Sequence, residues 1–170
     1  MLTLKSKTKL GEVIPFLPNG LIDKRETGIG ATTLEATCNR NSIIVEPTRA
    51  IVADKSKIHH CLGVMGGIKE PEILTYLSIR KHQNRKVFVV SDSVGRLLHI
   101  LKKAGEDVFK DYFYLIDECE QYITESGYRE NMGIALDYYW DFPEDKRALI
   151  SAFIYDFSNQ IGRASCRERV

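Results

Sequence analysis

Residues 112–120 read Tyr112-Phe113-Tyr114-Leu115-Ile116-Asp117-Glu118-Cys119-Glu120, an aromatic and aliphatic run that ends in adjacent carboxylates. Five such residues suit a strand buried on both faces. A strand of this kind ends at the carboxyl edge of a parallel sheet, where open α/β folds bind their ligands. One carboxylate there can hold Mg²⁺ on a nucleotide, and a second can orient an attacking water. Asp117 is therefore the expected metal residue and Glu118 the expected base, against the plainer alternative of a buried strand entering an acidic loop.

Working outward, Lys86-Val87-Phe88-Val89-Val90 and Ser42-Ile43-Ile44-Val45 have the same buried-strand character, the second closed by Glu46-Pro47. Residues 61–65 and 147–151 read as further strands. Residues 21–26 read as a short strand that is polar for a central position. Between them lie helical spacings: Ile51, Val52, Lys55 and Ile58 on one face up to about His60; Ile73, Leu74, Leu77 and Ile79 up to about Gln83; Val94, Leu97, Leu98, Ile100 and Leu101 behind Ser93; and a helix near residues 132–139. Residues 124–131 read as a mobile segment. Strands alternating with helices predict one α/β domain, a parallel sheet flanked by helices through right-handed crossovers.

The chain has 170 residues, 44% of them hydrophobic, enough for one proper core. Net charge is +1 with 28% charged residues, so a nucleic-acid contact has to be a local patch. No apolar run approaches the ~20 residues that span a bilayer, and a cytoplasmic protein is expected. Cys38, Cys61, Cys119 and Cys166 show no paired spacing for zinc or a disulfide framework and are expected as reduced, small core residues. His59, His60 and His82 lack companion ligands at metal spacing. Residues 161–170 resemble a translated sequencing adapter and are set aside. Their three arginines and one glutamate contribute +2, leaving −1 for residues 1–160. The natural gene is expected to continue past Gln160.

Residues 1–20 form a lead-in, with Pro15 and Pro18 among Gly11 and Gly20 arguing loop over helix. The turn Thr27-Gly28-Ile29-Gly30-Ala31-Thr32 then feeds a helix. Glycines allow close approach of backbone N–H groups to phosphates, a lysine reaches the β and γ phosphates, and a hydroxyl serves Mg²⁺. Gly28, Gly30 and Thr32 supply the turn and hydroxyl, but Ala31 stands where the lysine belongs. A plain strand-to-helix turn is the alternative reading. Lys24 or Arg25 could substitute, although placement on the preceding strand argues against them.

Taken together, these motifs resemble the first RecA-like domain of superfamily 2 helicases of the DEAD/DEAH-box kind. The family's T-G-x-G-K-T is similar to residues 27–32, its P-T-R-E-L-A to residues 47–53, and its double glycine to Gly66-Gly67. Its T-P-G-R-L-L-D is similar to residues 93–99, its D-E-A-D to residues 117–120, and its S-A-T to Ser151-Ala152-Phe153. The resemblance implies a RecA-like P-loop NTPase domain over residues 21–160. ATP and Mg²⁺ would sit on Thr27, Gly28, Gly30, Ala31 and Thr32, with Thr32 and Asp117 on the metal and Asp117 and Glu118 catalytic. Arg49, Gly95 and Arg96 would meet single-stranded DNA or RNA by its backbone. Ser151 and Ala152 would couple hydrolysis to motion, although Phe153 departs from the pattern. A second RecA-like domain in the same natural chain would complete a helicase or translocase. The alternative is a degenerate helicase-fold domain that binds without hydrolysis. No adenine-reading glutamine motif precedes the loop; Phe16 offers stacking.

Overall fold

The computed structural model describes residues 8–25, 28–81, 83–124 and 130–152. Six strands form one sheet, all neighbours parallel: β1 (Gly20–Asp23), β2 (Asn41–Glu46), β3 (Leu62–Val64), β4 (Lys86–Val90), β5 (Tyr112–Ile116) and β6 (Arg147–Ser151). Their order is β1-β6-β5-β2-β4-β3. The α/β class and parallel sheet expected from the sequence are what the chain forms. The polarity of β1 has a simple cause, since it is an edge strand paired only with β6, and alternate residues face solvent. By contrast β4 and β5 are buried at every position, which is why they read so clearly as apolar runs.

Helices cover both faces. On one side, α1 (Ala31–Thr37) and α2 (Arg49–Ile58) pack Leu34 and Val52 onto Ile44, Phe88, Leu115 and Ile150. On the other, α3 (Glu70–Ile79), α4 (Val94–Lys103), the short α5 (Val108–Asp111), α6 (Cys119–Thr124) and α7 (Glu130–Asp141) bury Ile73, Leu97, Val108, Tyr122 and Ala135 against Ile43, Val87 and Tyr114. Alternate residues of a strand thus feed opposite cores. Tyr114 is fully buried, stacks on Phe142 at 4.6 Å, and donates its hydroxyl to the Ala135 carbonyl at 3.0 Å, tying β5 to α7.

Several local expectations are corrected. The lead-in is part of the core, because Leu10 and Leu17 are buried with α1 and the Leu10 amide donates to the Ile29 carbonyl at 2.9 Å. Residues 119–124 form a helix where none was expected; residues 125–129, also of the segment read as mobile, lie outside the described residues. Lys86, a charged residue opening β4, is buried at the amino edge of the sheet, where its ammonium donates to the Glu35 carbonyl at 2.6 Å and the Ser42 hydroxyl at 2.9 Å. Glu35 in turn receives the Arg40 guanidinium, so this cluster closes the sheet end away from the ligand edge. Cys38, Cys61 and Cys119 are free thiols, two of them buried.

Gly95, on α4, faces α7 so closely that a Cβ there would lie 2.6 Å from the Tyr138 hydroxyl oxygen. Overpacking of this kind costs about 1–3 kcal/mol. Gly95→Ala is therefore expected to lower unfolding free energy by that amount in urea melts, and Tyr138→Phe in the same background to recover part of it. Equal stability of Gly95→Ala and wild type contradicts the close packing.

Candidate functional site

β5 and β2 lie side by side, yet the helices that follow them, α6 and α2, pack on opposite faces of the sheet. Such a divergence opens a crevice at the carboxyl ends of the strands. Asp117 and Glu118 follow β5 directly, Glu46 ends β2, Lys24 follows β1, and the loop carrying Gly28 and Gly30 borders the same cavity as Lys24 and Glu118. That cavity, of about 480 Å³, is lined by Lys9, Lys24, Gly28, Thr32, Lys55 and Glu118 among others. Its volume is in the range of small-ligand sites.

The loop geometry depends on its glycines. Gly28 and Gly30 have φ of 75° and 83°, a region open to glycine and costly for other residues. Ala31 follows as the first residue of α1, and its methyl is buried in the core. Thr32 turns its hydroxyl inward to donate to Asp117 Oδ2. Thr27 lies outside the described residues.

Asp117 is the centre of the charge arrangement. Its side chain is fully buried, and its backbone amide donates to the Val45 carbonyl at 3.0 Å, which locks it to β2. Lys24 Nζ lies 3.2 Å from Oδ1, and Lys55 Nζ 3.2 Å from Oδ2. Burial alone pushes the carboxyl up, but Lys55, Lys24 and the Thr32 hydroxyl together hold it below the usual carboxylate range. Lys24 also reaches Glu118 Oε1 at 2.6 Å, and its backbone amide donates to the Ser151 carbonyl at 2.9 Å. Lys55 reaches Glu46 Oε1 at 2.9 Å and stands 3.4 Å from the Thr32 hydroxyl. Burial, reinforced by the Asp117 charge, pushes Glu46 up to about 7. Burial works against the charge of both lysines, and Asp117 leads the groups that more than offset it.

Glu118 has φ of 50°, uncommon for a residue with a side chain. Strain of this sort costs on the order of 1–3 kcal/mol and clusters at functional sites. Burial raises the Glu118 carboxyl, with Lys24 opposing and Glu120 adding to the rise. Asp117, Glu118, Gly28, Gly30 and Thr32 thus come together at one edge. Ser151 and Ala152 are buried at the end of β6, beside Lys24. Phe153 lies outside the described residues.

The other expected residues gather over the neighbouring strands. Arg49 opens α2, is exposed, and pairs with Asp92 at 3.4 Å. Its guanidinium lies against Gly66, where a Cβ would come within 3.0 Å. Arg96, also exposed, donates to the Ile68 carbonyl at 2.5 Å. Arg49, Gly66, Asp92 and Arg96 follow the carboxyl ends of β2, β3 and β4, next to the cavity edge. Gly95 differs, since its close neighbour is Tyr138. Arg25 points away from the cavity edge into a pair with Asp23 and is 70% exposed, whereas Lys24 is 7% exposed. Phe16 does not line the cavity; the Arg40 guanidinium sits 5.4 Å from its ring.

Lys55 is the site residue that sequence reasoning missed. It reads as a member of an apolar helix face, and only the pairing of β2 with β5 brings it to Asp117. Lys24 was in view, and the strand expected to carry it outward ends one residue earlier, at Asp23.

Lys24 links two carboxylates where water is largely excluded. Breaking a buried ion pair costs about 3–5 kcal/mol, and the lower end applies because Asp117 keeps Lys55 and Glu118 is 26% exposed. Lys24→Met should lower unfolding free energy by about 3 kcal/mol, and adding Glu118→Gln should restore part of it. A loss below about 1 kcal/mol, the worth of a surface pair, contradicts this role.

No protein-family model and no curated protein matches the chain. Solved structures do. The chain is similar to a hypothetical ATP-dependent RNA helicase from Sulfolobus tokodaii at 21% identity and a TM-score of 0.59, over 95% of this chain and 50% of that one. It is similar to Dbp5 of S. cerevisiae, in a structure bound to Nup159, Gle1, IP6 and ADP, at 14% identity and a TM-score of 0.53, over 86% and 40% of the two chains. It also resembles a nuclease-deletion mutant of the Type ISP restriction-modification enzyme LlaGI in complex with a DNA substrate mimic, at 12% identity and a TM-score of 0.52, over 86% and 17%. The chain spans half or less of each of these proteins. With six parallel strands in this order and helices on both faces, the chain has a RecA-like α/β fold that it shares with these structures.

Proposed function

We infer that the chain binds Mg²⁺-ATP in the cavity at the carboxyl edge and acts as a motor domain of an ATP-dependent nucleic-acid helicase or translocase. The observation that carries this reading is the convergence of the glycine loop, Thr32 and Glu118 on one cavity, with the Thr32 hydroxyl donating to the buried Asp117. The ADP in the Dbp5 structure and the ATP-dependent RNA helicase from Sulfolobus tokodaii among the similar folds support nucleotide use.

The donor chemistry suits Mg²⁺, because a hydroxyl and a carboxylate are hard oxygen ligands. Among the described residues no group of three or more His, Cys, Asp or Glu could hold a metal. That suits an ion carried in on phosphate oxygens, which needs only one or two protein carboxylates. Thr32 and Asp117 would hold it, and when bound it neutralises charge on the phosphates. Gly28 and Gly30 leave the loop backbone free to approach the phosphate oxygens. Glu118 would orient the attacking water, for which its carboxylate has to leave Lys24 or use its second oxygen. Ser151 and Ala152 would feel that change through the Lys24 backbone. Arg49 and Arg96 present guanidinium groups suited to phosphates of a single strand of DNA or RNA, and Gly95 would set the spacing of that helix. Hydrolysis and unwinding would need a second RecA-like domain in the same natural chain, since the chain covers half or less of the helicases it resembles. No helix among the described residues is long and apolar enough to cross a membrane.

A second reading, binding without turnover, is favoured by Ala31 and by the pairing of Glu118 with Lys24. Titration with ATP and Mg²⁺ should show saturable binding that Asp117→Ala weakens at least about tenfold, the loss of one charge-assisted contact. In the natural full-length protein, phosphate release stimulated by single-stranded DNA or RNA supports the motor, and ATP binding with no release supports the second reading. No nucleotide binding at all contradicts both.

A further inference from the structure

We propose that Lys55, reaching in from α2, supplies the ammonium group for the terminal phosphates that the phosphate loop lacks at Ala31. This rests on the nucleotide-binding reading above and names the residue that makes it workable. A triphosphate in a partly enclosed cavity needs a fixed positive charge, and a lysine in the loop is the usual source. Here that position carries a methyl group buried in the core, so the charge has to come from elsewhere.

Three lysines line the cavity, and their partners separate them. Lys9 is exposed, pairs with no carboxylate among the described residues, and donates to the Gly28 carbonyl at 2.5 Å. Lys24 bridges Asp117 Oδ1 and Glu118, with its ammonium 2.6 Å from Glu118, and is only 7% exposed, so little of it faces the cavity. Lys55 is 26% exposed, and it shares Asp117 Oδ2 with the hydroxyl of Thr32, 3.4 Å from that hydroxyl. Its ammonium therefore stands beside the Thr32 hydroxyl, the group proposed above to meet the metal. When Lys55 turns to a phosphate oxygen, Asp117 still has Lys24 and Thr32, while Glu46 gives up its ion pair with Lys55. Lys55 combines closeness to the Thr32 hydroxyl with partial exposure. Its stem is held by α2, whose first turn is fixed by the Thr48 hydroxyl accepting from the Ile51 amide at 3.3 Å.

The test is a four-protein cycle on the full chain: wild type, Lys55→Gln, Ala31→Lys, and the double variant, each titrated with ATP and with AMP, with folding checked by circular dichroism. Lys55→Gln is expected to weaken ATP binding about ten- to a hundredfold, the worth of a charge-assisted hydrogen bond, and AMP binding less than about threefold. Ala31→Lys, which places an ammonium in the loop, is expected to restore ATP binding in the Lys55→Gln background to within about threefold of wild type and to add little on its own. That non-additivity separates a phosphate contact from a merely structural role. Unchanged ATP affinity in Lys55→Gln overturns the proposal. So does a loss that Ala31→Lys leaves unrepaired, since it marks an effect through Asp117 or the fold. If wild type binds neither nucleotide, the nucleotide-binding reading itself falls and the proposal with it.

Discussion

A carboxylate with no access to solvent sits at the carboxyl edge of the sheet, and everything around Asp117 is arranged to keep it ionised there. Removing such a group from water costs several kcal/mol unless charge and hydrogen bonds replace the lost hydration. Lys24 covers one oxygen, Lys55 and Thr32 the other, and the Glu118 amide adds a donor at 3.0 Å. Each partner comes from a different part of the chain: the end of β1, α2, the glycine loop and the strained residue after β5. The loop conformation and the edge charge are therefore one construction. Glu46 adds a third carboxylate, buried like Asp117, and its Oε2 has no hydrogen-bond partner among the described residues. Three carboxylates against two ammonium groups leave an edge that more positive charge would suit.

The sheet order explains how this edge can exist at all. Crossovers send α1 and α2 to one face and α3 to α7 to the other, so the ends of β2 and β5 are left open between diverging helices. The cavity and its buried charges follow β1, β2, β5 and β6, and the exposed arginines follow β2 and border β4. The two groups are neighbours along one rim. α2 belongs to both, with Arg49 at its start and Lys55 two turns on, so a shift of this helix would be felt at both places.

Much of this was legible in the sequence because the informative residues obey local rules. β4 and β5 are buried on both faces and read as unbroken apolar runs; Gly28 and Gly30 mark a turn that needs positive φ; Asp117 and Glu118 follow an unmistakable strand. What was not legible depends on pairing across the sheet. Lys55 looks like one more position on a helix face until β2 is placed beside β5. Lys86 looks like surface basicity until its strand is placed between β2 and β3, where it faces Glu35 at the amino edge together with Arg40. The polarity of β1 argued against a central strand and is explained by the edge. Leu10 and Leu17 sit among prolines and glycines, and nothing local says that α1 needs them for cover. The family resemblance supplied the order of the motifs; the substitution of the lysine by Ala31 is where it gave no guidance, and there the structure offers Lys55.

The most direct measurement is a crystal structure of the chain with a non-hydrolysable ATP analogue and Mg²⁺. The account predicts the triphosphate under the loop of Gly28 and Gly30, the Lys55 ammonium within about 3 Å of a terminal phosphate oxygen, the usual charge-assisted distance, and Lys24 still on Asp117. A nucleotide bound elsewhere, or a triphosphate under the loop with Lys55 unmoved on Asp117 and Glu46, contradicts it.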